Sequence, residues 1–465
     1  MFRSKIYDLF KVNDLQNGDM AAAEGRWLRA YMGRPDWLDS ENAVRSINFS
    51  QTLAEETARL TTLAIKVNFD GGRGKYMASV WEKKIKPLIR EWAENATAIG
   101  MIILKPNSVG SVEMVTQDEI YVTAMDSTKN ITGVVFQHDE VINGVYYHLF
   151  EYQHKEVING IEKYIIENRA TASETAGTAG DEIDLKATPW YAVPQYTELQ
   201  RQNNEAIDGM LFGVFKMPKA NNIAPKNYAG MSLYSNAMEE LRDLDVAYSR
   251  NSEEIYDSRR SALIDDRLLM QPPVMDEKGN IHPRRQKMPK WIRNVMGTAP
   301  EEYYQEINPA LNTEIRKSGI NSLLSQIGYK CGYSAGYFVL DEKTGMVTAT
   351  QVEADDRRTI QLIKDTRDAL ETCLNNVFKA INIYADIDNI QPDAYEVSYS
   401  FGDITYNYEE DKQTCWKYVQ AGKYPLWRYY ERFEGMSEEE AKTVAAEAKQ
   451  ENQYTQASLF DDDEE

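Results

Sequence analysis

The feature that most constrains this chain is a long helical pattern that nothing interrupts. Between Thr350 and Tyr384 there is neither proline nor glycine. Val352, Ile360, Ile363, Leu370, Leu374, Val377 and Ile381 mostly recur at helical spacing within it. At about 1.5 Å per residue such a helix is about 50 Å long. Residues 320–329 carry a second apolar-periodic pattern just upstream. Between the two, Gly332, Gly336 and Gly345 supply backbone angles closed to other residues, so the segment can bend at both ends. Within it Tyr337, Phe338, Val339 and Leu340 are too apolar for a free loop, while Asp341, Glu342, Lys343 and Thr344 form a polar tip.

Another long pattern occupies residues 231–264. Tyr234, Met238, Leu241, Leu244, Tyr248, Ile255 and Ala262 make an i, i+3, i+4 stripe, and the other faces are heavily charged. Gly230 and Ser232 fit its start, with Ser232 as N-cap. A stripe this narrow needs a partner helix, either residues 312–329 or a neighbouring subunit. Residues 267–308 lie between, with Pro272-Pro273 and short β-like runs. They hold a basic run, Arg284, Arg285, Lys287, Lys290 and Arg293, with no acid from His282 to Arg293. In a chain with 52 basic and 73 acidic residues, net charge −21, this run is the clearest anomaly. It reads either as a solvated hairpin guarded by charge or as a protein-docking surface.

The rest of the chain is α+β. Residues 42–67 and 76–99 read as core helices, the second kinked at Pro87. From Gly100 the period changes to two. Residues 101–104, 111–116, 120–123, 131–137, 145–152 and 161–168 read as strands of one antiparallel sheet, and Asn143-Gly144 and Asn159-Gly160 suit tight hairpins. Residues 170–180, rich in Ala, Thr, Ser and Gly, read as a flexible surface loop. Residues 395–401 read as a strand and 409–420 and 426–433 as short helices. Ser437 and Glu440 form a capping box opening a further helix, and 452–465 read as a disordered acidic tail.

Charge and motif content narrow the function. A net −21 argues against tight wrapping of nucleic acid, which rests on neutralising phosphates, though not against a surface that DNA slides past. Cys331, Cys373 and Cys415 lie at no zinc spacing and read as reduced thiols of a cytosolic chain. The chain shows no signal core and no run of about 18 apolar residues. No GxxxxGK[ST] loop or GxGxxG occurs; Gly71-Gly72-Arg73-Gly74 lacks the spacing of a phosphate loop. His138, His148 and His154 fit no ligand motif, and no nucleophile elbow is present. Asp355-Asp356-Arg357-Arg358 is a solvated helix start, its acids suited to the positive end of the dipole. No cofactor and no catalytic role are expected.

The order Gly-Tyr-Phe-Val-Leu-Asp, a short turn, Thr-Ala-Thr-Gln-Val and a charged helix start resembles the tunnel loop and long wing helix of tailed-bacteriophage portal proteins. Residues 211–218 (Leu-Phe-Gly-Val-Phe-Lys-Met-Pro) and Gly230-Met231-Ser232-Leu233 resemble that family's approach to its stem, and the resemblance extends over residues 42–447. It implies a wing over 1–229, a stem helix over 230–264, a clip over 265–310, a second stem helix over 311–331, and a tunnel loop over 332–349. A long wing helix and strand over 350–402, a crown over 403–451 and the tail follow. It implies a ring of twelve subunits at one vertex of a virion capsid, through which double-stranded DNA is packaged and ejected, assembled in the host cytoplasm. Its partners would be further copies of itself, the terminase large subunit, a head–tail adaptor, and the major capsid and scaffolding proteins. On this resemblance Tyr337, Phe338, Asp341, Glu342, Lys343 and Thr344 form a constriction, with Tyr337, Phe338, Val339 and Leu340 packed on a neighbour's loop or on the long helix and the polar tip reaching the passing DNA. The basic run docks the motor or adaptor. Glu239, Asp243, Glu254 and Asp257 are candidates for the channel-facing side of the stem. The alternatives are another minor head or tail-connector protein, or a packaging enzyme.

Overall fold

The computed structural model describes the chain apart from residues 1, 39–43, 108–109, 159, 200–206, 258–260, 266–269, 276–280, 286–291, 296–303, 308–311, 341–356, 389, 391–393, 403–407, 421–422, 435, 438 and 448–465. It forms two compact units, residues 1–401 and 402–465. No helix among the described residues is long and apolar enough to cross a membrane.

In the first unit the helices are α1 (Phe2–Phe10), α2 (Gly18–Tyr31), α3 (Phe49–Thr61), α4 (Gly74–Val80), α5 (Ile89–Ile99), α6 (Met238–Asp257), α7 (Thr313–Cys331) and α8 (Arg357–Ile387). The core forms around α8. Leu370, Cys373, Leu374, Val377, Phe378 and Ile381 fall at helical spacing on one stripe, in one cluster with Ala54 and Ala58 of α3 and Trp92, Ala93 and Ala96 of α5. Strands β2 (Met101–Pro106) and β10 (Gly213–Lys216) cover the same core through Ile102, Leu104 and Phe215. Gly213 is required there: a Cβ would sit 2.3 Å from the Cys373 carbonyl oxygen of α8.

The period-two stretch forms two sheets rather than one. In the first, β2 pairs with β10 and with β3 (Val112–Val115). In the second, β4 (Ile120–Met125), β5 (Ile131–Ile142), β6 (Val145–Ile158), β7 (Ile161–Ser173) and β8 (Asp181–Ile183) form an antiparallel meander, with β9 (Tyr196–Leu199) also on β7. The switch follows Thr116, where a capping box opens a short 3₁₀ turn, Gln117–Glu119. Asn143 and Gly144 both have positive φ, +52° and +83°, as a type I′ hairpin requires. Residues 170–180 are not a free loop. Ala170–Ala172 pair with β8, and the Thr171 hydroxyl donates to the Ala179 carbonyl.

Local patterning overstated three helices. Residues 42–67 contain α3 and then β1 (Lys66–Asp70), which pairs with β16 (Glu396–Ser400) through Val67↔Tyr399 and Phe69↔Val397. That partner lies hundreds of residues away, so the local pattern did not reveal it. Residues 76–99 break into α4, one π turn (Trp81–Ile85) and α5; Pro87 sits between the turn and α5 and has no N–H to continue a helix. The third, residues 231–264, is α6 flanked by other structure. Before it, Gly230 packs against Gly100, where a Cβ would lie 2.0 Å from the Gly100 oxygen, and the Leu233 N–H donates to Thr97 O at 3.0 Å. Ser232 is thereby held in a buried turn ahead of a 3₁₀ turn, Ser235–Ala237, and does not cap α6. After it, Ser261–Asp265 is a strand, β11, and Ala262 lies in a sheet.

Beyond α6, β14 (Ile292–Val295) and β15 (Tyr304–Ile307) flank β11, the first parallel and the second antiparallel to it. Separately, β12 (Met270–Met275) pairs with β13 (Ile281–Arg285). The register slips between Gln271 and Val274, where Pro272, Pro273 and Pro283 have no N–H for the ladder.

The second unit contains α9 (Tyr408–Gln420) and α10 (Leu426–Phe433), packed through Cys415, Tyr429 and Phe433. The expected capping box is present. The Glu440 N–H donates to Ser437 Oγ at 3.4 Å and Glu440 Oε2 accepts from the Ser437 N–H at 3.1 Å. Cys331, Cys373 and Cys415 are all buried and none is in a disulfide.

Candidate functional site

The region of interest is a helical hairpin, its distal strands and the loop at its base. α6 and α7 pack side by side and run antiparallel. Glu240 meets Lys330 at 2.5 Å near one end, and Glu254 meets Arg316 near the other. Each helix buries an apolar side, Leu241 and Leu244 on α6 and Ile320, Leu324 and Ile327 on α7. The base of α6 is tied to the N-terminal region. Buried Asp245 accepts from Trp37 Nε1 at 2.8 Å and from the Ile47 N–H at 2.9 Å, and Ser249 Oγ accepts from the Arg45 N–H at 2.8 Å. Burial pushes the Asp245 carboxyl above its ordinary range. Further out, Ile255 and Ile315 are exposed, at 56% and 74%.

The stem candidates divide. Glu239 and Asp243 lie on the exposed side, each paired with Arg242 at 3.0 and 3.2 Å. Glu254 points into the hairpin. Besides Arg316 it accepts from the Asn312 backbone N–H at 3.2 Å, so it does not share an open face with the other two. Asp257 is the last residue of α6, and its side chain lies outside the described residues.

At the base of the hairpin, α7 ends on Gly332, left-handed at φ +96°, and the Tyr333 N–H reaches back to the Gly328 carbonyl at 2.9 Å. The chain then folds onto α3. Tyr333 is fully buried and its hydroxyl shares a 2.6 Å hydrogen bond with Thr57 Oγ1. The Tyr337 hydroxyl donates to Glu56, and Phe338 packs edge-on against Phe49 with centroids 5.2 Å apart. Tyr333, Tyr337 and Phe338 form a mutual cluster with centroids 4.8–4.9 Å apart. Burial raises the Glu56 carboxyl, but the Arg59 guanidinium and the Tyr337 hydroxyl outweigh it and hold it below its ordinary value.

Within one chain, among the described residues, Tyr337 and Phe338 of this aromatic run do not pack on the long helix. Tyr337 and Phe338 sit on α3 of the same chain, because α3 offers both an aromatic face and a carboxylate. Val339 and Leu340 stay partly exposed, at 38% and 56%. The start of α8 does close the base. The Ser334 N–H donates to Thr359 Oγ1 at 3.0 Å, and the Arg358 guanidinium lies 3.8 Å over the Tyr329 ring and donates to the Tyr329 carbonyl at 3.1 Å. Asp341, Glu342, Lys343 and Thr344 lie outside the described residues.

The basic run is distributed over two sheets. Arg284 and Arg285 lie on β13, opposite Gln271 and Met270, and Arg293 lies on β14, opposite Leu263. Lys287 and Lys290 lie outside the described residues.

Several polar clusters had no sequence signal. Arg73, fully buried, donates to Asp386 at 2.7 Å, to the Asn382 carbonyl at 3.0 Å and to the Ile390 carbonyl at 2.8 Å. The glycine-flanked run 71–74 is therefore a clasp on the end of α8; the flanking glycines were the only hint. Lys105, also buried, meets Glu151 at 3.1 Å and Glu113 at 3.5 Å. His138 and then Lys105 hold the Glu113 carboxyl at about 2. The histidines are separate from one another. His148 is buried against Asp139 and Thr178 O, at 2.6 and 3.1 Å, and is not a surface residue; His154 stacks on Tyr152. No group of three or more His, Cys, Asp or Glu among the described residues is placed to hold a metal.

No protein-family model matches this chain, and no curated protein matches it.

Proposed function

We propose that this chain is a subunit of a portal ring, the channel at one vertex of a tailed-phage capsid. The observation that carries the reading is an order along the chain. One helix (α6) leads out to a small strand cluster, a second (α7) returns antiparallel to it, an aromatic-anchored loop follows, and a long core helix (α8) comes next. This is the stem, clip, stem, tunnel loop and wing-helix order that the resemblance implies.

In this reading the α6–α7 hairpins stand side by side around the channel, with Ile255 and Ile315 supplying apolar contact between neighbours. Glu239 and Asp243 give an acidic face past which DNA moves without being held. The strands carrying Arg284, Arg285 and Arg293 dock the terminase large subunit during packaging and the head–tail adaptor afterwards. The major capsid and scaffolding proteins contact the outer surface. The role is structural, with double-stranded DNA in transit rather than as a substrate.

Sedimentation of the doubly substituted Ile255→Asp/Ile315→Asp chain tests the hairpin contact. Both side chains are exposed in one chain, so the variant is expected to fold and remain a monomer while the parent forms a large assembly. A variant that assembles like the parent places the contact elsewhere.

A further inference from the structure

The chain is strongly acidic, yet one cleft of the first unit collects lysines. It encloses about 690 Å³ and is lined by Lys129, Lys155, Lys216 and Lys379. These come from four segments: the β4–β5 turn, β6, β10 and α8. Among the described residues, two of them have no carboxylate partner. Lys216 Nζ donates to the Tyr228 carbonyl at 2.9 Å, and Lys129 Nζ donates to the Pro225 carbonyl at 2.6 Å. Both acceptors are neutral, so neither hydrogen bond cancels the ammonium charge. Burial, followed by repulsion from Lys129, pushes the Lys216 ammonium below its ordinary value.

The other two hold weak partners. Lys155 pairs with Glu162 at 2.8 Å and Lys379 with Asp208 at 2.5 Å, but those carboxylate side chains are 44% and 90% exposed. Exposed pairs of this kind contribute little and exchange readily. Two acids, Asp208 and Asp126, also line the wall; Asp126 is occupied by its own turn, accepting from the Thr128 and Asn130 N–H groups at 2.8 and 2.9 Å.

We infer that this cleft binds a phosphate-bearing anion. Its volume lies in the range of small-molecule sites, and lysine ammonium groups are point charges suited to phosphate oxygens. The lining aromatics Phe212 and Tyr228 are themselves buried, at 3% and 4% exposure, and offer no open ring for a base to stack on. Recognition is therefore of phosphate charge and indifferent to the base. Free nucleotides or polyphosphates and the backbone of a nucleic acid share that chemistry. The inference is independent of the ring reading.

Calorimetric titration of the full chain at low salt tests it, using inorganic tripolyphosphate, ATP and a short DNA duplex. Tripolyphosphate and ATP are expected to bind saturably and with similar affinity. Lys129→Gln/Lys216→Gln should weaken both roughly tenfold or more, since charge-assisted hydrogen bonds are lost, while thermal stability stays level or rises as the repulsion goes. The second variant, Lys155→Glu/Lys379→Glu, removes only side chains whose carboxylate partners are exposed; it should give the same loss and covers a failure of the first to fold. A duplex that competes with tripolyphosphate identifies the backbone as the source; a duplex that does not compete identifies free phosphates. Absence of tripolyphosphate binding, or binding that both variants leave unchanged, overturns the inference.

Discussion

Arg73 shows how much one buried cation can hold. It joins the turn before α4 to the end of α8, through Asp386 and Asn382, and to Ile390 just beyond it. Its loss leaves a carboxylate and two carbonyls without their donor, so Arg73→Ala should cost about 3 kcal/mol or more in urea unfolding; a loss below about 1 kcal/mol, the range of ordinary surface changes, contradicts the clasp. The acid limb depends on Glu113. Its carboxyl is held at about 2 in the folded chain, below the ordinary 4.5. A depressed carboxylate contributes stability that is present above its unfolded value and lost as pH falls towards its folded one. Stability should therefore decline between pH 4.5 and pH 2, and Glu113→Gln should flatten that limb, read from melting temperature against pH. An unchanged limb assigns the acid sensitivity to other groups.

At the scale of elements, the hairpin and the anchored loop each carry a test. Glu254→Arg and Arg316→Glu should each destabilise the hairpin, and the double swap should recover part of the loss, a coupling of about 1 kcal/mol. Additive effects would mean that the pair contributes nothing. Tyr333→Phe removes a buried hydroxyl from Thr57 and should cost about 1 kcal/mol, measured by thermal unfolding. These elements were unequally legible. The uninterrupted pattern of α8 and the narrow stripe of α6 were readable because a helix writes its buried face into local spacing. Their ends were not: β1 and β11 follow α3 and α6 in apolar stretches whose strand character depends on distant partners. The landing of Tyr337 and Phe338 on α3 was also invisible, since Phe49, Glu56 and Thr57 lie far upstream. Likewise, Glu254 differs from Glu239 and Asp243 only by what α7 places opposite it.

At the scale of the whole molecule, the proposed ring would bring the basic strands and the hairpins into an assembly. Reversing Arg284, Arg285, Lys287, Lys290 and Arg293 to Glu should leave rings intact and block DNA packaging, mainly by slowing motor association, as for other steering charges. Normal packaging by that variant reduces the run to a solvated hairpin. The ring itself is the central claim. A closed ring buries the same patch of every subunit against its neighbour, which would cover the exposed Ile255 and Ile315. Electron imaging of the purified full chain tests it most directly. The account predicts closed rings around a central channel, twelvefold when formed on a capsid; particles that remain single chains at every concentration, with no rings in extracts of infected cells, would contradict it.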